Sequence, residues 1–154
     1  MKKIVFILLI ISLCLAFFYC SKKENSVLAE KEFKLSANAS VNFEIKKLEE
    51  SLQTAQSEVE KADIYTKIAV INSDKGDINS SVKSATEAIK YQPNQYMSHF
   101  LLGKSYISAG RLNDAIAELE MAIGLKNDFA AAYFELGNAQ YKKYNYPAAK
   151  NNYK

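Results

Sequence analysis

The chain has 154 residues, enough for one domain plus a targeting segment, with 20 basic against 17 acidic residues. Setting aside Lys2 and Lys3 at its extreme start leaves 18 against 17, near +1, and offers no clustered basic stripe for nucleic acid. Glycine and proline number only 5 and 2, which favours helices over a turn-rich β fold, and both cysteines, Cys14 and Cys20, precede residue 21, so none remains later to staple a domain or hold a metal.

Met1-Lys2-Lys3 is followed by an apolar run from Ile4 to Tyr19, interrupted only by Ser12 and Cys14. A short positive start before an apolar run is the layout of a secretory signal peptide, and the run is near the lower limit for spanning a bilayer. Residues 1–19 are therefore read as a signal peptide or membrane anchor. Cys20 closes the run and polar Ser21-Lys22-Lys23-Glu24-Asn25 follows at once, which resembles bacterial lipoprotein leaders. That resemblance implies cleavage before Cys20 and lipid attachment to its thiol. The common pattern has a small residue before the cysteine and a leucine three before it, whereas Tyr19 and Phe17 stand there. Three readings stay open: a lipid anchor at Cys20, an uncleaved membrane anchor, and free release. The first two give a membrane-anchored protein outside the cytoplasm, on a periplasmic or cell-surface face.

Residues 20–40 are rich in Ser, Lys, Glu, Asn and Ala and read as the attachment cysteine and a flexible tether. Val41, Ile45, Leu48, Leu52, Ala55 and Val59 then write an apolar stripe at three-four spacing, predicting a leading helix over 41–61.

From residue 62 the sequence repeats itself. Leu102-Gly103 returns 34 residues later as Leu136-Gly137, and His99/Tyr133, Leu112/Tyr146, Ala115/Ala149 and Leu119/Tyr153 keep the same offset. One step back stand Tyr65, Ile68, Ala69, Ile78, Ser81 and Ala85. Helical patterns repeating at this length predict a stacked array of helix pairs. The units are 62–95, 96–129 and 130–154, the last incomplete. Each has a helix, a polar hinge at 74–77, 109–111 or 143–145, and a second helix starting at Asn79, Asn113 or Pro147. Gly76 and Gly110 suit the left-handed position that ends a helix.

Leu102-Gly103-x-x-Tyr106 with Gly110, Ala115, Leu119 and Ala122 resembles the tetratricopeptide repeat, as do Leu136-Gly137 with Tyr146 and Ala149, and Gly76, Ala88 and Pro93. The resemblance implies an all-α fold: a short right-handed solenoid of antiparallel helix pairs, preceded by the signal or anchor segment and the polar tether. Departures are Ala69 where glycine is usual, Ser81 where alanine is usual, and Gln140 in place of a packing tyrosine.

In this family the first helices line a concave groove that takes a protein or peptide. The matching positions here are Asp63, Thr66, Val70 and Ser73, then Met97, Phe100, Lys104 and Ile107, then Ala131, Phe134, Asn138 and Tyr141. Met97, Phe100, Phe134 and Tyr141 would supply apolar anchors, with Lys104 and Asn138 as polar pins. The alternative is that Phe100 and Phe134 merely pack between helices. Some relatives grip a terminal carboxylate with paired Lys and Asn; Thr66 and Val70 occupy the first such pair of places, so that specificity is not expected.

Chemistry is not expected. His99, the only histidine, falls at a position that packs between helices, Glu118-x-Glu120 reads as a solvated face, and no phosphate-cradling glycine motif is present. Neither an enzyme nor a cofactor is predicted. The third unit stops in its second helix at Asn151-Asn152-Tyr153-Lys154, so a truncated longer protein, or a partner that completes the array, is the expectation. The reading that follows is a membrane-anchored scaffold for protein binding in a bacterial envelope. Its alternatives are an assembly factor with an uncleaved transmembrane anchor and a fragment with no independent function.

Overall fold

A computed structural model of the chain describes residues 31, 34–36 and 38–153. The leader, Cys20 and most of the expected tether lie outside the described residues. Of the tether, residues 31, 34–36 and 38–40 are helical, and the helix continues through residue 54 (α1, residues 38–54). Glu44–Lys154 forms one compact unit.

The apolar stripe through Val59 reads as one helix over 41–61, but the chain breaks at residues 55–57. The reason is local. Ser57 is extended, and its hydroxyl accepts from the Glu60 amide while the Glu60 carboxylate accepts from the Gln56 amide at 2.9 Å. Two backbone donors, one in the first turn of the next helix and one just ahead of its N-cap, are thereby satisfied, an arrangement close to a capping box but reaching one residue further back. Helix α2 (Glu58–Lys75) accordingly starts four residues before the repeat boundary at 62.

Five further helices follow: α3 (Ile78–Tyr91), α4 (Tyr96–Ser108), α5 (Leu112–Leu125), α6 (Ala130–Lys142) and α7 (Tyr146–Asn152). Every second helix begins one residue before its sequence-predicted start, because the N-caps are Asp77, Arg111 and Asn145. The Asp77 carboxylate accepts from the Ser80 amide at 3.1 Å, which holds its pKa below the usual carboxylate range. Gly76 and Gly110 take the left-handed conformation with φ of 78° and 76°. The third hinge does the same with Tyr144, at φ 61°.

From α2 to α7 each helix packs on its neighbours in sequence, and the first helices also touch one another: α2 contacts α4 and α4 contacts α6. No contact joins α3 to α5 or α5 to α7. An array whose first helices meet while its second helices stay apart curves around the first helices, so α2, α4 and α6 form the inner layer.

The core runs between the layers. Ala69, Ala85, Leu101 and Leu102 form one buried cluster; Ile107, Ala115, Leu119, Ala122, Ala132, Leu136 and Ala139 form the next. Alanines let the helices approach, and each fully buried leucine such as Leu119 contributes roughly 1.5–3 kcal/mol. Gly103 shows how tight the approach is: a Cβ there would sit 2.7 Å from Leu119 Cγ. Ser81, standing where alanine is usual, is fully buried; its hydroxyl donates to the Ala69 carbonyl (3.0 Å) and accepts from Ser105 (2.8 Å). Gln140, standing for the packing tyrosine, accepts from the Asn152 amide at 2.7 Å, so a polar tie replaces ring packing between α6 and α7.

Candidate interaction surface

The inner layer carries the expected groove positions, and the structure divides them by burial. Met97 and Phe100 on α4 are half-buried against the core clusters, Lys104 is half-buried, and Ile107 is buried. On α2, Thr66 is buried and Asp63 and Val70 are exposed. On α6, Phe134 and Tyr141 are 57% and 58% exposed, unusually open for rings beside a core. Asn138 is half-buried and held from two sides: its amide donates to Glu135 (3.1 Å) and its oxygen accepts from the Tyr153 hydroxyl (2.9 Å). Tyr153 also lies against Phe134, with ring centroids 5.8 Å apart, so the end of α7 reaches the inner layer.

Between repeats, residues outside the expected set do the joining. Gln95, just ahead of α4, donates to Asp63 (2.7 Å) through its amide nitrogen, and its oxygen accepts from the Ser98 hydroxyl with the Thr66 hydroxyl 2.7 Å away. Phe129 stands 34 residues on, just ahead of α6, and its ring meets Phe100 and Tyr96 at centroid distances of 4.9 and 5.1 Å. Lys126 Nζ lies 4.8 Å from the Tyr96 centroid and 5.6 Å from that of Phe129. Such edge contacts and cation–π contacts each contribute on the order of 0.5–1.5 kcal/mol. The signal for this pair was the shared 34-residue column, which sequence reasoning did not use.

Cavities lined by described residues open on the unit, and two of them lie at its opposite ends in sequence. One, about 490 Å³, is lined by Ile45, Glu49 and Leu52 of α1 and by residues of α2 and α3 that include Tyr65, Asn72 and Lys83. The other, about 550 Å³, lies at the α6–α7 end and is lined by Asp128, Ala130, Tyr133, Phe134 and Asn151–Tyr153.

His99 is buried, as its position between helices predicts, and its partners correct the reading of Glu118 as a solvated face. Nδ1 is 2.7 Å from Glu118 Oε2 and Nε2 is 2.8 Å from the Pro93 carbonyl. Both nitrogens thus face acceptors, which only the protonated ring can satisfy. The Glu118 hydrogen bond raises the His99 pKa above the ordinary imidazole value against the opposing effect of burial, with help from the Pro93 carbonyl.

Among the described residues no group of His, Cys, Asp and Glu is placed to hold a metal ion, and no helix is long and apolar enough to cross a membrane.

Comparison with known proteins agrees with this geometry. MamA has a similar structure (TM-score 0.66, 22% identity, 73% of this chain), and the chain spans 64% of its length. MamA from Desulfovibrio magneticus RS-1 is similar at TM-score 0.66 and 13% identity, over 77% of this chain and 66% of that one. So is the first TPR of Spaghetti (RPAP3) bound to the HSP90 peptide SRMEEVD, at TM-score 0.60 and 17% identity, over 62% of this chain and 75% of that one. No curated protein matches the sequence. Residues 62–95 match the tetratricopeptide repeat model and 103–143 a TPR repeat model, so the chain carries tetratricopeptide repeats, units that mediate protein–protein interaction.

Proposed function

We propose that the chain is a scaffold protein of the bacterial envelope, held at the membrane through lipidated Cys20 on the non-cytoplasmic side, whose inner helical layer binds a peptide segment of a partner protein. The observation that carries the binding half is the exposure of Phe134 and Tyr141, two large rings more than half open at groove positions of α6. With Met97, Phe100 and Lys104 half-buried on α4 of the same inner layer, they favour an apolar or aromatic segment with a nearby carboxylate. The Spaghetti repeat bound to SRMEEVD supports peptide capture on this fold. Thr66 and Val70 in place of a Lys–Asn pair argue that a terminal carboxylate is not what this chain grips. The anchoring half rests on the apolar run from Ile4 to Tyr19 closed by Cys20. Two or more acyl chains there would hold the protein stably, since each buried methylene contributes about 0.8 kcal/mol.

The two halves are tested separately. Peptides selected by display on the full chain should lose at least about tenfold in affinity against the Phe134→Ala/Tyr141→Ala variant; unchanged affinity removes the groove. Cells expressing the chain should incorporate labelled palmitate, and Cys20→Ala should abolish it. Retained membrane association without label would favour the uncleaved transmembrane anchor.

A further inference from the structure

We propose that the cavity walled by α1, α2 and α3 binds a neutral polyhydroxylated small molecule, the size of one saccharide unit, through the side chains of Asn72 and Ser84. Both residues line the cavity and are only 5% and 8% exposed. Among the described residues, neither the Asn72 amide nor the Ser84 hydroxyl has a hydrogen-bond partner. Buried polar side chains are nearly always paired, so two left open on one cavity point to a ligand that completes them.

The later repeats show that this opening is particular to the first. Counting by 34, Asn72 corresponds to Tyr106 and Gln140, and Ser84 to Glu118 and Asn152. In the third repeat the two positions satisfy each other, the Asn152 amide donating to Gln140 at 2.7 Å. In the second, the Tyr106 ring packs on both core clusters, and Glu118 lies 2.7 Å from His99. In the first, Asn72 and Ser84 are each shorter than their third-repeat counterparts, and Tyr65 stands in place of His99 with its ring stacked on Tyr91. Neither pairing forms there. A cavity of about 490 Å³ remains, within the range of about 300–1,000 Å³ typical of small-molecule sites.

The walls select the ligand. Ile45, Leu52 and Ile68 supply an apolar side that suits the C–H face of a sugar ring. The amide of Asn72 and the hydroxyl of Ser84 can both donate and accept, as a sugar hydroxyl does. Glu49, Asp77 and Glu87 share the walls with Lys75 and Lys83, and this mixture of signs favours a neutral ligand over an ion. None of these residues belongs to the inner groove.

The probes are glucose, galactose and N-acetylglucosamine, each titrated into the purified full chain and followed by saturation-transfer NMR. Saturable binding of at least one is expected. Asn72→Tyr copies the second repeat and should fill the cavity, weakening that binding at least about tenfold while leaving the melting temperature unchanged or higher. Ser84→Ala removes one hydroxyl and should weaken binding several-fold, so a fold defect in either variant leaves the other to decide. No saturable binding of any of the three sugars would overturn the proposal, as would binding that a normally folded Asn72→Tyr or Ser84→Ala variant retains in full. Binding of arginine in place of the sugars would also overturn it, since the carboxylates would then govern the site. Because the Phe134→Ala/Tyr141→Ala variant leaves this cavity intact, a failure here is separable from a failure of groove binding.

Discussion

His99 and Glu118 lie on the two helices of the central repeat, Nδ1 2.7 Å from Oε2, while the opposite ring nitrogen meets the Pro93 carbonyl of the preceding turn. One imidazole ring therefore ties together α4, α5 and the crossing from the first repeat. Below the ordinary imidazole value of 6.5 the ring is protonated folded and unfolded, and its stabilising contribution is complete. As pH rises past 6.5 the unfolded chain releases the proton first, so stability declines until the folded ring titrates too. Urea unfolding between pH 6 and 9 should show this loss, and a His99→Tyr variant should lack it. An equal decline in the variant would show that the ring is not its source.

Gly103 and Gly124 both sit in helices but predict opposite outcomes. A Cβ at Gly103 meets Leu119 Cγ at 2.7 Å and the Ala115 carbonyl at 3.2 Å, and Leu119 is fully buried and cannot yield. Gly103→Ala should destabilise by about 1–3 kcal/mol in spite of alanine's better helix propensity. At Gly124 nothing lies within 4 Å, so Gly124→Ala should stabilise by up to about 1 kcal/mol. Chemical denaturation of the two variants checks both signs.

Ser81 and Ser105 share one buried hydrogen bond at 2.8 Å. Ser81→Ala leaves the Ser105 hydroxyl, 1% exposed, without that partner and should cost about 1–3 kcal/mol. Ser81→Ala/Ser105→Ala removes both polar atoms and should cost less than the sum of the single changes. A double-mutant cycle by thermal unfolding reads the coupling directly.

Tyr144 holds φ 61° although it is 79% exposed, at the third-repeat counterpart of Gly110. A left-handed non-glycine residue costs about 1–2 kcal/mol, and glycine's extra freedom when unfolded returns about 0.5–1 of that. Tyr144→Gly should therefore stabilise by about 0.5–1 kcal/mol, at the cost of the weak edge contact with Tyr146 at 6.4 Å. A lower melting temperature would mean that the tyrosine cluster holds the end of the array more firmly than its exposure implies.

How far the site was legible can be judged from three residues. Phe134 and Phe100 occupy the same repeat position and look alike in sequence, yet one is half-buried under Phe129 and the other is open. Position in a repeat says which way a side chain points; whether the next repeat covers it depends on the residue arriving there. Glu118 looked like a solvated carboxylate because helical spacing carries no information about a histidine 19 residues away. The end of the leading helix at 54 was hidden by an apolar stripe that continues to Val59, since the Ser57–Glu60 cap competes with that stripe only through hydrogen bonds from backbone amides to side-chain oxygens.

By itself the sequence determined the repeat length, the helix pairs, the left-handed glycines at 76 and 110 and the buried column of small and large residues. These follow from local periodicity and backbone freedom, which act within one repeat. The tertiary structure alone decided that Gln95 and Phe129 fill the crossings and that His99 pairs with Glu118. Those depend on contacts between residues distant along the chain, where packing and hydrogen-bond geometry select among partners that periodicity leaves equivalent.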